Sequence, residues 1–122
     1  MSDSIAYGRG DVVLVPFPFV TDFTKAKARP AIVIQNDIAN RFSPNLILGL
    51  VSSTIPRKSY PFHYRIPGES ELAAQAGLDR DSIVKTEVII IIPKSSILKK
   101  VGSLPAEAMH DVDACLRLSL SL

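Results

Sequence analysis

Cysteine occurs once in this 122-residue chain, at Cys115, so no disulfide can form within it and a reducing, cytoplasmic setting is expected. Histidine occurs twice, at His63 and His110, at no recognised metal-binding spacing, and a metal-free fold without a cofactor is expected. Long hydrophobic runs are missing. The longest, residues 12–20 and 88–93, fall far short of the roughly 18 apolar residues that a membrane-spanning helix needs. Residues 1–11 carry Asp3, Arg9 and Asp11 and lack the basic, apolar and small-residue order of a secretory leader. Charge of one sign is scarce as well: 14 basic against 12 acidic residues leave a net charge of +2, so only clustering could argue for nucleic acid. Walker loops, dinucleotide fingerprints, nucleophile elbows, repeats and low-complexity tracts are absent, and Gly8-Arg9-Gly10 precedes a strand and reads as a turn.

What is present is the composition of one globular domain over residues 1–122, 47% hydrophobic and 21% charged. Nine Pro and six Gly suit many short strands joined by turns better than a helical bundle. Residues 11–15 read as a first strand entering an irregular loop over 16–28, whose far end carries Lys25, Lys27 and then Arg29, the most basic local segment. Two apolar runs, residues 30–35 (PAIVIQ) and 46–51 (LILGLV), read as neighbouring buried strands. Between them residues 36–45, rich in Asn and Asp and ending Ser43-Pro44, have the chemistry of a hairpin loop. Counting antiparallel partners outward from a loop closed by Asn36 and Asn45 puts Arg29 opposite Ser52. A cation then faces the hydroxyl cluster Ser52-Ser53-Thr54.

Further along, residues 60–66 (YPFHYRI) read as an aromatic edge strand and residues 69–75 as a short helix closed by Gly77. Residues 82–92 (SIVKTEVIIII) form a second long strand whose alternation sets Lys85 and Glu87 on one face. Residues 103–118 have Pro105 in the first turn, with Met109, Val112, Cys115, Leu116 and Ser119 near helical spacing, and predict a terminal amphipathic helix.

Several of these segments stand in a recognisable order: GDVVLVPFPF (10–19), RPAIVIQND (29–37), NRFSP (40–44), VSS (51–53), GLDRDSIV (77–84), Glu87, and the tail VDACLRLSLSL (112–122). The chain resembles the MazF/PemK toxins over nearly its whole length. The resemblance implies a mainly β, α+β fold: a small SH3-like β-barrel with a short connecting helix and a carboxyl-terminal helix. It also implies a homodimer that cleaves single-stranded RNA without a metal and is neutralised by an antitoxin protein. In the family an arginine of an Arg-Pro step and a hydroxyl residue at the end of the next strand carry cleavage, and these match Arg29 and Ser52. PemK-like members also use an acid and a basic residue two positions before it, matching Glu87 and Lys85. Two departures stand out: TDFTKAKA (21–28) replaces the Gly-x-Glu stretch many relatives carry, and Ser52 stands where Thr is usual.

Metal-free RNA cleavage needs a base for the 2′-OH, charge stabilisation at phosphorus and a proton for the departing 5′-oxygen. Arg29 offers a planar fork of donors suited to phosphate; its plainer role is a surface ion pair. Ser52 can orient a phosphate oxygen, helped by Ser53 and Thr54; the plainer role is a strand-end cap. Glu87 would be a base if burial raised its pKa, and otherwise a salt-bridge partner of Lys85 or Arg29; the base stays open between Glu87 and Arg29 itself. Lys25, Lys27, Arg57 and Lys58 suit the phosphate backbone, and Tyr60 is the best stacking residue, with Phe17, Phe19 and Phe62 more often core. His63 reads as a barrel-wall residue, His110 as an exposed helix residue and Cys115 as a small apolar helix residue. Two other functions share the fold: a CcdB-like gyrase-inhibiting toxin, which needs no Arg29 and Ser52 pair, and an RNA-binding SH3-like module without activity.

Overall fold

The apolar runs read from the sequence all become strands of one antiparallel sheet. The computed structural model describes residues 6–17 and 27–122. The strands are β1 (Asp11–Phe17), β2 (Lys27–Val33), β3 (Asn45–Ser52), β4 (His63–Ile66), β5 (Ser82–Pro93) and β6 (Lys99–Ser103), in the spatial order β4-β5-β3-β2-β1-β6. Helix α1 (Asp37–Phe42) joins β2 to β3, α2 (Glu71–Ala76) joins β4 to β5, and α3 (Ala106–Leu120) follows β6. None of the described helices is long and apolar enough to cross a membrane.

Alternation within the strands sends apolar side chains to both faces. On one face Val12, Ile32, Val51 and Val84 are buried against Ala73 and Ala76 of α2 and Met109, Val112 and Leu116 of α3. On the other, Val13, Val15, Ala31, Val33, Leu46, Leu48 and Ile92 form a second cluster whose buried members all come from strands. A sheet that fills one face with its own side chains must curl over it, and the result is the mainly β, half-barrel form with a helix packed outside. Each fully buried Val or Ile contributes roughly 1.5–3 kcal/mol over its exposed state, so the two clusters hold the curl from both sides.

The hairpin register follows the count from the loop. Ala31 faces Leu50, Ile32 faces Gly49 and Val33 faces Leu48, and Ala31–Leu50 is the last pair of this ladder. Beyond it β2 continues along β1, with Arg29 opposite Val15, while β3 continues along β5, with Ser52 opposite Ile83. Pro30, with no N–H to donate, sits where the two strands part.

Several boundaries differ from the sequence reading. Residues 36–45 hold α1 rather than an open loop: Asn36 caps it by accepting from the Ala39 N–H at 2.8 Å, because Asn and Asp suit helix caps as well as turns. The first strand runs on through Pro16 to Phe17 and β2 begins at Lys27, so both strands take residues read as loop. Only His63–Ile66 of the aromatic segment is strand; residues 60–63 form a turn closed by the His63 N–H to the Tyr60 carbonyl at 3.1 Å. The edge position of β4 is as expected. The polar stretch KKVGS forms edge strand β6, which apolar periodicity could not show, and the terminal helix therefore starts at Ala106 and ends at Leu120. Its buried stripe is Ala108, Met109, Val112, Cys115 and Leu116, with His110 exposed as read. Gly77 closes α2 in the left-handed region at φ +72°, which a residue with a side chain rarely adopts.

The largest correction lies in β5. Its ladder with β3 jumps from Leu50–Lys85 to Gly49–Ile89, so Thr86, Glu87 and Val88 form a three-residue bulge with no partners in β3. Lys85 and Glu87 still share a face, as read, because His63, opposite Lys85, sets its imidazole against the Glu87 carboxylate, but Glu87 has no ladder partner in β3 or β4. The pairing of β4 with β5 ends at the same point, His63 against Lys85.

A candidate nucleic-acid interface

Where β2 and β3 part, a recess of about 240 Å³ opens, lined by Arg29, Pro30, Val51 and Ser53 and closed on its far side by residues 78–80 and Ser82. Arg29 is exposed, and no described carboxylate lies within ion-pair distance of it. Ser53 rather than Ser52 shares this recess. The Ser52 hydroxyl accepts from the Thr54 N–H at 3.1 Å, so it fills the strand-end capping role considered for it and stays half-buried. Lys27 is exposed at the start of β2, opposite Phe17; Lys25 and Phe19 lie outside the described residues.

A second recess, of about 100 Å³, takes Ile55 and Ile83 where the first takes Ser53 and Ser82, and is lined by Arg57, Lys58, Tyr60, His63 and Arg65 among others. Its wall is aromatic. The Tyr60 ring centroid is 5.2 Å from Phe62 and 5.4 Å from His63, and Phe62 and His63 meet edge to face at 4.8 Å. The Lys58 ammonium sits 5.7 Å from the Tyr60 ring centroid. Cations beside an aromatic face are the elements that hold an unpaired nucleotide, phosphate on one side and base on the other.

Comparison with known proteins gives this surface a context. Residues 8–120 match the family described as PemK-like, MazF-like toxin of type II toxin–antitoxin systems. The chain belongs to this family. It is 37% identical over 114 residues to the endoribonuclease EndoA of Bacillus subtilis (strain 168), covering 93% of this chain and 94% of that one. Among solved structures, an endoribonuclease in complex with its cognate antitoxin from a mycobacterial species superimposes with a TM-score of 0.75 at 18% identity, covering 96% of this chain and 97% of that one. MazF from Deinococcus radiodurans does so with a TM-score of 0.73 at 20% identity, covering 98% of this chain and all of that one.

Within this member of the family, Glu87 does not have the environment expected of a base. Its carboxylate is 2.9 Å from the His63 Nε2 and its side chain is 39% exposed. Partial desolvation pushes the Glu87 pKa up, but the hydrogen bond from His63, a backbone N–H and the charges of His63 and Lys85 outweigh it and hold the pKa below the usual carboxylate value. The burial that would have raised it is missing because Glu87 points to the open side of the bulge, opposite the buried Thr86. Its hydrogen-bond partner is His63, and neither Lys85 nor Arg29 comes within salt-bridge distance of it.

His63 is thus the residue that sequence reasoning missed. Its acid is 24 positions away in the chain, so no local pattern could reveal the pair. Arg65 was missed too, although its place two residues beyond His63 in an edge strand puts it in the same recess. Arg57, Lys58 and Tyr60 come together as a group, Lys85 lies opposite His63 on β5, and Thr54 lies on the segment between the two recesses.

Proposed function

We infer that this protein is the toxin of a type II toxin–antitoxin pair and that it cleaves single-stranded mRNA as an endoribonuclease in the cytoplasm, stopping translation and growth. The observation that carries the reading is the exposed Arg29 at the mouth of a recess beside Ser53, with the chain leading from Ser53 into the cationic and aromatic recess around Tyr60. Full-length similarity to a named endoribonuclease supports it.

In this reading the RNA backbone crosses Arg29 while a base is held near Tyr60, with Arg57, Lys58, Lys27, Lys85 and, by its place in the sequence, Lys25 neutralising phosphates. As the 2′-OH attacks phosphorus it gives its proton to water, Arg29 stabilises the charge that develops there and protonates the departing 5′-oxygen, and the guanidinium regains its proton from solvent. Ser52, Ser53 and Thr54 orient the phosphate from the end of β3. Glu87, held below the ordinary carboxylate pKa, contributes charge and position to His63 and is a weak base. Purified protein should cut single-stranded RNA in the presence of EDTA; intact RNA would reject the reading in favour of a binding or gyrase-inhibiting role.

The proposed partners are a cognate antitoxin and a second copy of the chain. Leu118, Leu120, Leu122 and Ile91 are 59%, 50%, 84% and 65% exposed, and an apolar groove of about 590 Å³ runs beside them between Ile34, Ile47, Ile89 and Leu116. So much exposed leucine beside one groove suits a self-complementary interface. Sedimentation at micromolar concentration should give a dimer, and an acidic antitoxin segment should associate more slowly as salt is added.

A further inference from the structure

We propose that Thr86 is a positioning residue for RNA recognition, holding the Tyr60–His63 turn in the shape that accepts a base. The inference rests on the functional reading above and deepens it. Thr86 is fully buried although it lies in the bulge, outside the ladders with β3 and β4, where a threonine has no sheet role to fill. Its hydroxyl donates to the Phe62 carbonyl at 2.5 Å, and the carbonyl of Cys115 in α3 lies 3.3 Å from the same oxygen. Its own carbonyl accepts from the Ser119 hydroxyl of α3 at 2.9 Å. One residue therefore joins the aromatic turn to the terminal helix.

The next residue of the bulge completes the arrangement. Glu87 holds the His63 imidazole from the open side, while Thr86 holds the backbone of Phe62 from the buried side. Phe62 and His63 are the two rings against which Tyr60 rests, so the bulge grips the turn at its last two residues. Without the Thr86 hydroxyl the Phe62 carbonyl loses its buried donor, and the turn keeps only its own closing hydrogen bond and the Glu87 contact on the open side. The rings then sample other orientations, and the cost falls on RNA binding and not on the chemistry at Arg29.

This division separates positioning from mere stability. A structural defect lowers the active fraction, and with it the maximal rate per milligram, and leaves KM unchanged; a positioning defect raises KM at constant kcat. Thr86→Val, which keeps the shape and removes the donor, should raise KM for a single-stranded RNA about five- to tenfold with kcat within about twofold, as expected for the loss of one hydrogen bond. Thr86→Ser, which keeps the hydroxyl, should restore KM. If Thr86→Val does not fold, Thr86→Cys, a weak S–H donor of similar volume, should give an intermediate KM, and a wild-type KM there would overturn the proposal. Wild-type protein that fails to cut RNA would overturn the functional reading and this inference with it. Wild-type cleavage with an unchanged KM in Thr86→Val would overturn this inference alone.

Discussion

The two ends of the β2–β3 hairpin are built in opposite ways. At the α1 end polar side chains are packed into a closed network: Gln35 donates to the Asn40 carboxamide oxygen at 3.0 Å and to the Asn45 carbonyl at 2.9 Å, and Asn40 donates back to the Gln35 carbonyl at 2.9 Å. Arg9 adds a tie from outside, with its N–H on Asp37, its Nε on the Ile34 carbonyl and a guanidinium nitrogen 2.6 Å from Asp113 of α3. At the other end the strands diverge after Ala31 and Leu50, Arg29 is exposed, and the Ser52 hydroxyl is hydrogen-bonded to Thr54 two residues on. A hairpin whose register is locked at one end can open at the other without slipping, because a one-residue slip would turn every buried side chain outward. Stability and chemistry are thereby separated along a single pair of strands.

That contrast can be broken by substitution at either end. Arg29→Ala should reduce single-turnover cleavage by on the order of 10² to 10³, with unfolding free energy within about 0.5 kcal/mol of wild type, and Arg29→Lys should recover only part of the rate. Equal losses of stability and rate would erase the distinction. Asn40→Leu is the mirror experiment: it takes one of two acceptors from the buried Gln35 carboxamide and the side-chain donor from the Gln35 carbonyl, and should cost about 1–3 kcal/mol in urea unfolding, while the rate per folded molecule is kept. Ser52→Ala should lower the rate roughly tenfold and Ser52→Thr should stay near wild type, since the hydroxyl is what the phosphate meets.

Smaller effects sharpen the picture of the open end. Because the Glu87 pKa is lowered by folding, its carboxylate stabilises the protein above the unfolded value of 4.5, and that contribution is lost as pH falls through the lower folded value. Glu87→Gln should therefore lose less stability on acidification than wild type, measured by thermal unfolding across that range. Its cleavage rate at saturating RNA should be unchanged across pH. Lys27→Ala should leave turnover alone and reduce the slope of log affinity against log salt by about one.

Much of this was legible in the chain. The β-branched runs, the Gly77 cap, the stripe of α3 and the register counted from Asn36 and Asn45 are local properties, because each depends on residue type at short spacing. The order of motifs was likewise enough to place the chain beside the MazF/PemK toxins. Tertiary structure decided the rest. A bulge exists only relative to neighbouring strands, so the offset that frees Thr86, Glu87 and Val88 could not be seen in an apolar run that alternates on paper. The same offset carried Glu87 to His63 and Thr86 to Phe62, both 24 positions apart, and the parting of β2 and β3 put Ser53 beside Arg29 while Ser52 turned to Thr54. Periodicity determined which residues are buried; the meeting of distant segments determined which polar groups they find, because a hydrogen bond depends on distance and direction in space.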